Sequence, residues 1–78
     1  MTAKEMFEKL GYELKKNTDL EIWYYNAHTK PVETNITFVV QSKCFCIYKP
    51  QICNPCIDIH LLQAINKQCE ELGWNKWI

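Results

Sequence analysis

Four of the five cysteines of this chain lie within thirteen residues, in the stretch CFCIYKPQICNPC. They form two close pairs, Cys44 with Cys46 and Cys53 with Cys56. Thiolates bind borderline and soft metal ions, and a set of four closes a tetrahedral shell around zinc. The spacing C-x-C-x6-C-x-x-C therefore predicts a zinc site with no open coordination position, which is typical of structural rather than catalytic zinc.

The geometry of each pair supports this prediction. Cys44 and Cys46 are two apart in a predicted strand, so their side chains point to one face with Cα atoms about 6.5 to 7 Å apart. That separation is at or beyond the limit for a disulfide, but it suits two thiolates that converge on one ion. In the second pair, Asn54 and Pro55 are turn residues that let both sulfurs face one centre.

Other interpretations of the cluster stay open. His60 lies four residues after Cys56 and could replace one thiolate, which would give a shell of three cysteines and one histidine. The thiols could instead be reduced and buried, Cys53 and Cys56 could form a redox disulfide, or the set could hold an iron–sulfur cluster. Cys69 is separate from the cluster and falls on an apolar helix stripe, which predicts a core position.

Composition limits the class of partner. The first ten residues mix acids and bases, so we expect no secretory signal, and no stretch reaches the length of a membrane span. Clustered thiols outside the secretory route favour metal binding over disulfides. Nine basic residues balance nine acidic ones, which is neither the basic excess of a nucleic-acid binder nor the acidic excess of a DNA mimic. This neutrality favours a protein partner.

The cluster must be positioned by a small fold, and 78 residues predict one domain, 1–78. Residues 2–10 predict a helix, because Thr2 and Glu5 have the spacing of a capping box. Gly11 follows at the place where a glycine ends a helix.

Strands are predicted next, where β-branched and aromatic residues dominate. The predicted strands are residues 20–26, 35–41 and 43–48, with a possible short strand at 12–15. The last two form a hairpin. Alternation places Ile22 and Tyr24 on one face of the first strand, and Trp23 and Tyr25 on the other.

A second helix follows the cluster, with Asp58 as its predicted N-cap and Gly73 at its end. Its predicted apolar stripe consists of Leu62, Ile65, Cys69 and Leu72, widened by Leu61. The predicted class is therefore α+β: an N-terminal helix, an antiparallel meander of three or four strands, a structural zinc-binding loop and a C-terminal helix, with both helices on one sheet face.

Candidate partner-binding residues come from the aromatics and from one acidic pair. Tryptophan and tyrosine are enriched at interface hot spots, but they also close small cores, so a clasp over the sheet is the alternative for the C-terminal tryptophans. The candidates are Tyr24, Tyr25, Glu70, Glu71, Trp74 and Trp77. No serine or cysteine has a base and an acid at catalytic spacing, so we expect no enzyme.

The two ends of the chain, MTAKEMFEKLGYE and LLQAINKQCEELGW, resemble a group of small proteins from bacteriophages and prophages of Gram-positive bacteria. With the cysteine cluster, the chain resembles zinc-containing type II-A anti-CRISPR proteins. The resemblance implies that it binds the Cas9 effector in the bacterial host cytoplasm and inhibits it before DNA cleavage. Neutral charge favours binding to a protein surface over DNA mimicry, and we expect a monomer. The alternatives are a zinc-dependent nucleic-acid-binding phage regulator and a small thiol redox protein.

Overall fold

The structure is a computed structural model, and it describes residues 1–26, 34–48 and 57–74. The elements in chain order are α1 (Ala3–Lys9), β1 (Glu13–Asn17), β2 (Glu21–Asn26), β3 (Thr34–Val39), β4 (Cys44–Tyr48) and α2 (Ile59–Glu71). The strands form one antiparallel sheet in the order β1-β2-β3-β4. The predicted α+β meander of three or four strands is confirmed, and the sheet has four.

The first helix begins with the capping box that the sequence predicts. The side-chain oxygen of Thr2 accepts from the backbone N–H of Glu5 at 3.2 Å, and the Glu5 carboxylate accepts from the backbone N–H of Thr2 at 2.9 Å. These hydrogen bonds favour the ionised carboxylate and so lower the pKa of Glu5. Two of the backbone donors that a helix start leaves unpaired are thereby satisfied.

Both helices end in the same way. Gly11 and Gly73 have φ angles of +93° and +78°, which glycine adopts without a steric penalty. Each glycine N–H donates to the carbonyl three residues back, and the aromatic residue after it, Tyr12 or Trp74, donates to the carbonyl five residues back. This is the Schellman arrangement, and it confirms the stop signals predicted from the sequence. Neither helix in the described ranges is long and apolar enough to cross a membrane.

The core lies between the two helices and one face of the sheet. On β2 and β3, Ile22 pairs with Phe38 and Tyr24 pairs with Ile36, and all four side chains are buried. The ring of Phe7 in α1 stacks on Tyr24, with 3.9 Å between ring centroids. The buried apolar residues are Ala3, Phe7, Tyr12, Ile22, Tyr24, Ile36, Phe38, Leu61, Ala64 and Ile65.

The apolar stripe predicted for α2 is partly wrong. Leu62 is 42% exposed, and the buried side of the helix carries Leu61, Ala64, Ile65 and Gln68 instead. Compared with the predicted stripe, the buried side of α2 is shifted towards Gln68. The side-chain oxygen of Gln68 accepts a hydrogen bond from the hydroxyl of the core residue Tyr24, so Gln68 faces inward and Leu62 faces outward. The predicted core role of Cys69 is confirmed, since it packs against the core, and burial raises the pKa of its thiol.

Several strand limits also differ from the prediction, each by one or two residues. β2 begins at Glu21 rather than at Leu20, whose side chain is 70% exposed in the preceding turn. The Thr18 hydroxyl shapes this turn by accepting from the N–H groups of Leu20 and Glu21. β3 ends at Val39, and the predicted hairpin turn closes with Lys43 at a φ of +54°.

Candidate functional site

The described elements leave the face of the sheet opposite the helices uncovered. We call it the open face. Along β2 and β3, the residues that point to the helices are buried, whereas the alternate residues are half-buried or exposed. The open face consists of Glu21, Trp23 and Tyr25 on β2, Asn35, Thr37 and Val39 on β3, and Cys44, Cys46 and Tyr48 on β4.

Trp23 occupies the middle of this face. It pairs with Thr37 of β3, which in turn pairs with Cys46 of β4. The indole N–H of Trp23 donates to the side-chain oxygen of Asn35 at 2.8 Å, which fixes the orientation of the ring. The ring of Tyr25 lies beside it, with 6.3 Å between centroids. Although its donor is satisfied, the Trp23 side chain stays 36% exposed, so an oriented aromatic surface is presented to the solvent.

Charges at the β1 side of the open face are balanced. Lys16, which pairs with Trp23 in the sheet, forms an ion pair with Glu21 at 2.8 Å. Lys15 forms a second ion pair with Glu13, also at 2.8 Å. Both pairs are solvent-exposed, so each contributes little to stability. They do, however, neutralise the lysines that flank the aromatic residues.

The first thiol pair lies on the open face. Cys44 and Cys46 are exposed, are not in a disulfide, and point to the same side of β4, as their spacing predicts. They therefore fit as one half of a tetrahedral thiolate shell. Cys53 and Cys56 lie outside the described residues. Within the described ranges no group of three or more metal-binding side chains is assembled, and the zinc site stays a prediction.

The structure does not bring His60 to these thiols. His60 lies in the first turn of α2 and lines a shallow cavity against α1, together with Met6 and Leu10. This cavity is on the helix side of the sheet, whereas Cys44 and Cys46 are on the open face. Because Cys53 and Cys56 lie outside the described residues, the shell of three cysteines and one histidine stays an untested alternative.

Of the two tyrosines predicted to bind a partner, one is on the open face and one is in the core. Tyr24 is only 2% exposed, and its hydroxyl donates to the side-chain oxygen of Gln68 at 2.7 Å. Burial raises the pKa of Tyr24 to about 12, and the negative charges of Glu71 and Glu8 add to the effect. Its predicted role as a surface contact is wrong, because β2 turns it towards the helices. Tyr25, its neighbour, is half-buried on the open face.

The two acidic residues at the end of α2, Glu70 and Glu71, have different roles. The carboxylate of Glu71 accepts from the backbone N–H of Ala3 at 2.7 Å and so joins α2 to the start of α1. Glu70 is exposed and forms an ion pair with Lys67, with 3.5 Å between the ammonium nitrogen and a carboxylate oxygen. Glu71 is therefore part of the fold, and Glu70 belongs to a solvated helix face on the side opposite the open face.

Of the two C-terminal tryptophans predicted to bind a partner, the structure describes only Trp74. Trp74 is half-buried and packs against the core, with 6.1 Å between its ring and that of Phe38. This arrangement is the clasp that the sequence offered as the alternative to an exposed anchor. Trp77 lies outside the described residues.

The sequence raises Trp23, with Tyr24 and Tyr25, as a side chain that meets either solvent or a partner, but Trp23, Val39 and Tyr48 are not among the selected candidate contacts. A signal for Trp23 was present, because Glu21 has the same strand phase and a charged residue seldom faces a core. Applying that phase to the whole strand assigns Trp23 and Tyr25 to the surface and Tyr24 to the interior.

Comparison with known proteins adds no relative to this description. No family model, no curated protein and no solved structure matches the chain. The function is therefore argued from the chemistry of the open face and from the resemblance of the two ends.

Proposed function

We propose that the chain is a phage-encoded inhibitor that binds the Cas9 effector through the open face of its sheet and acts before DNA cleavage. The proposed mode of action rests on one observation: the indole of Trp23 is held in one orientation and is partly exposed at the centre of an uncovered face. The resemblance of the chain ends supplies the identity of the partner. The uncovered aromatic face supports the choice of this face as the proposed binding surface.

Trp23 has the properties of an interface anchor. Large aromatic side chains contribute most of the binding energy in many interfaces, especially when they lie near the centre of the contact. The hydrogen bond to Asn35 holds the ring before binding, so less conformational entropy is lost when a partner covers it. Tyr25 and Thr37 surround the ring with groups that can both pack and hydrogen-bond.

The electrostatics of the chain favour contact with a protein surface. A DNA mimic needs an excess of carboxylates, but this chain has nine acidic and nine basic residues. Near the open face, Glu21 is already paired with Lys16, and Glu13 with Lys15. The face therefore offers shape and aromatic area rather than a negative field.

We also propose a structural zinc held by Cys44, Cys46, Cys53 and Cys56. Bound zinc would cross-link the segments that carry these residues, and it has no open position for catalysis. Cys44 and Cys46 contribute no side chain to the buried core, so the metal would act at the margin of the open face. Metal analysis of protein purified without chelator should give about one zinc per chain, and less than about half would contradict the site.

The partner is tested by co-elution with guide-loaded Cas9 in size-exclusion chromatography. The wild-type chain should co-elute with the effector, and Trp23→Ser should not. Leu62→Ser is the matched control, because Leu62 is also a partly exposed apolar residue but lies on α2, away from the open face. Failure of the wild-type chain to co-elute would overturn the choice of partner.

A second candidate function is binding of unpaired nucleic acid in phage gene regulation. The observation that favours it is the row of aromatics on an antiparallel sheet, Trp23, Tyr25 and Tyr48, since such faces can stack unpaired bases. Quenching of tryptophan fluorescence by a single-stranded oligonucleotide at low salt, lost at high salt, would support this candidate. Unchanged fluorescence at low salt would remove it.

A further inference from the structure

The two edges of the sheet differ in chemistry. At one edge, β1 carries three charged residues in five, Glu13, Lys15 and Lys16. Its pairing with β2 is interrupted by a shift of register between Leu14 and Lys16. Charged side chains and bulges are the features with which sheets prevent an edge strand from pairing with another chain. The β1 edge is therefore protected.

The β4 edge has none of these features. Its five residues, CFCIY, include no charge and no proline, and all five pair with β3 without a shift. Among the described residues, no strand pairs with the outer side of β4, which is last in the sheet order. An edge of this kind presents a row of backbone donors and acceptors to an incoming strand.

We propose that two copies of the chain associate through their β4 strands, which pair antiparallel about a twofold axis at Cys46. The two four-stranded sheets then form one continuous sheet of eight strands. This replaces the expectation of a monomer, and it does not depend on the proposed function. Twofold pairing of identical surfaces is the commonest way in which soluble proteins form oligomers.

The strand is self-complementary in this register. Side chains of paired strands alternate together, so residues of one face meet residues of the same face. On the helix side, Phe45 lies opposite Ile47 of the second copy, and Ile47 lies opposite the second Phe45. On the open face, Cys44 lies opposite Tyr48, and Cys46 lies opposite the second Cys46. None of the five pairs brings two lysine, arginine, aspartate or glutamate side chains together, because β4 contains none of these residues.

The β4 side chains are exposed in a way that is consistent with a second copy of the chain binding along the β4 edge. Phe45 points to the helix side, where its ring lies 5.8 Å from that of Phe38, yet it is 39% exposed. Tyr48 is 61% exposed at the end of the strand. Pairing would cover apolar area on both sides of the sheet. A metal held by thiols on the open face would not compete with pairing of the two β4 strands, because the groups that pair are backbone atoms in the plane of the sheet.

The test is sedimentation velocity of the full chain in reducing buffer over a wide range of concentration. We expect a reversible dimer for the wild type and for Cys46→Ser. Cys46→Lys should dissociate at least about tenfold more readily, because it places two like charges directly opposite each other. Thr37→Lys adds the same charge to the same face one strand further in, so it should leave the dimer intact.

Three results would overturn the proposal. The wild type could remain a monomer at the highest concentration. Cys46→Ser could lose the dimer as Cys46→Lys does, which would show that the thiol or a metal joins the copies. Thr37→Lys could weaken the dimer equally, which would place the contact on the open face. If Cys46→Lys fails to fold, Tyr48→Lys removes the exposed aromatic ring that lies opposite Cys44 of the second copy, and it should also weaken the dimer.

Discussion

The carboxylate of Glu71 accepts a hydrogen bond from the backbone N–H of Ala3, with 2.7 Å between oxygen and nitrogen. This contact joins the last turn of α2 to the first turn of α1, across 68 positions of the sequence. The first N–H groups of a helix have no partner within it, and a carboxylate there also meets the positive end of the helix dipole. Glu71 therefore works with the capping box of Thr2 and Glu5 to begin α1.

Replacing Glu71 should destabilise the protein. Glu71→Ala removes the acceptor for the buried Ala3 N–H and should lower the free energy of unfolding by about 1 to 2 kcal/mol. Glu70→Ala is the matched control, since it removes only an exposed pair with Lys67 and should cost less than about 0.5 kcal/mol. Urea denaturation measures both. Equal effects of the two substitutions would contradict the capping role.

The buried hydrogen bond between Tyr24 and Gln68 should be coupled energetically. Tyr24→Phe leaves the Gln68 oxygen without its donor inside the core and should cost about 1 to 3 kcal/mol. Combining it with Gln68→Leu removes the unpaired acceptor, so the double variant should be more stable than the sum of the two single changes predicts. A double-mutant cycle by denaturation measures this coupling. Strict additivity would show that the two side chains do not depend on each other.

The raised pKa of Tyr24 predicts alkaline sensitivity. Its pKa is about 12 in the folded protein because burial favours the neutral phenol, compared with about 10 when the chain is unfolded. The folded state therefore keeps this contribution to stability below about pH 10 and loses it as the pH rises towards 12. Thermal unfolding from pH 9 to 12 should show a steeper loss for the wild type than for Tyr24→Phe. Parallel curves would contradict the assignment.

The two helix-ending glycines should differ in their tolerance of alanine. Both have positive φ angles, so each substitution should cost about 1 to 2 kcal/mol. A Cβ on Gly11 would also lie 3.2 Å from the Nδ2 atom of Asn26, whereas a Cβ on Gly73 meets nothing within 4 Å. That nitrogen donates to the Leu10 carbonyl, so Gly11→Ala should cost about 1 kcal/mol more than Gly73→Ala. The midpoints of thermal unfolding compare them, and the reverse order would contradict this contact.

Local signals in the sequence predicted the helix ends and the strands well. The capping box at Thr2 and the glycine stops depend only on neighbouring residues, so they can be found without knowing the tertiary structure. The burial of Gln68 could not be found in this way, because it depends on a tyrosine that lies 44 positions away. The predicted stripe of α2 was displaced for that reason.

The candidate site was predictable only in part. Two-residue spacing in a strand was enough to place Cys44 and Cys46 on one face. Spacing alone does not decide which face of β2 meets the helices, because both faces carry large aromatic residues, and the charged Glu21 in phase with Trp23 is the only further signal we identify. In the structure Ile22 and Phe38 pair and are both buried, so Tyr24, on the same face of β2 as Ile22, is a core residue and Trp23 is a surface residue.

The most direct test of the account is inhibition of guide-directed DNA cleavage by Cas9, titrated with the wild-type chain, Trp23→Ser and Leu62→Ser. We expect the wild type and Leu62→Ser to inhibit cleavage at the same concentration. Loss of a central tryptophan anchor costs about 2 kcal/mol or more, so Trp23→Ser should need at least about thirtyfold more protein. Undiminished cleavage with the wild-type chain, or equal inhibition by Trp23→Ser, would contradict it.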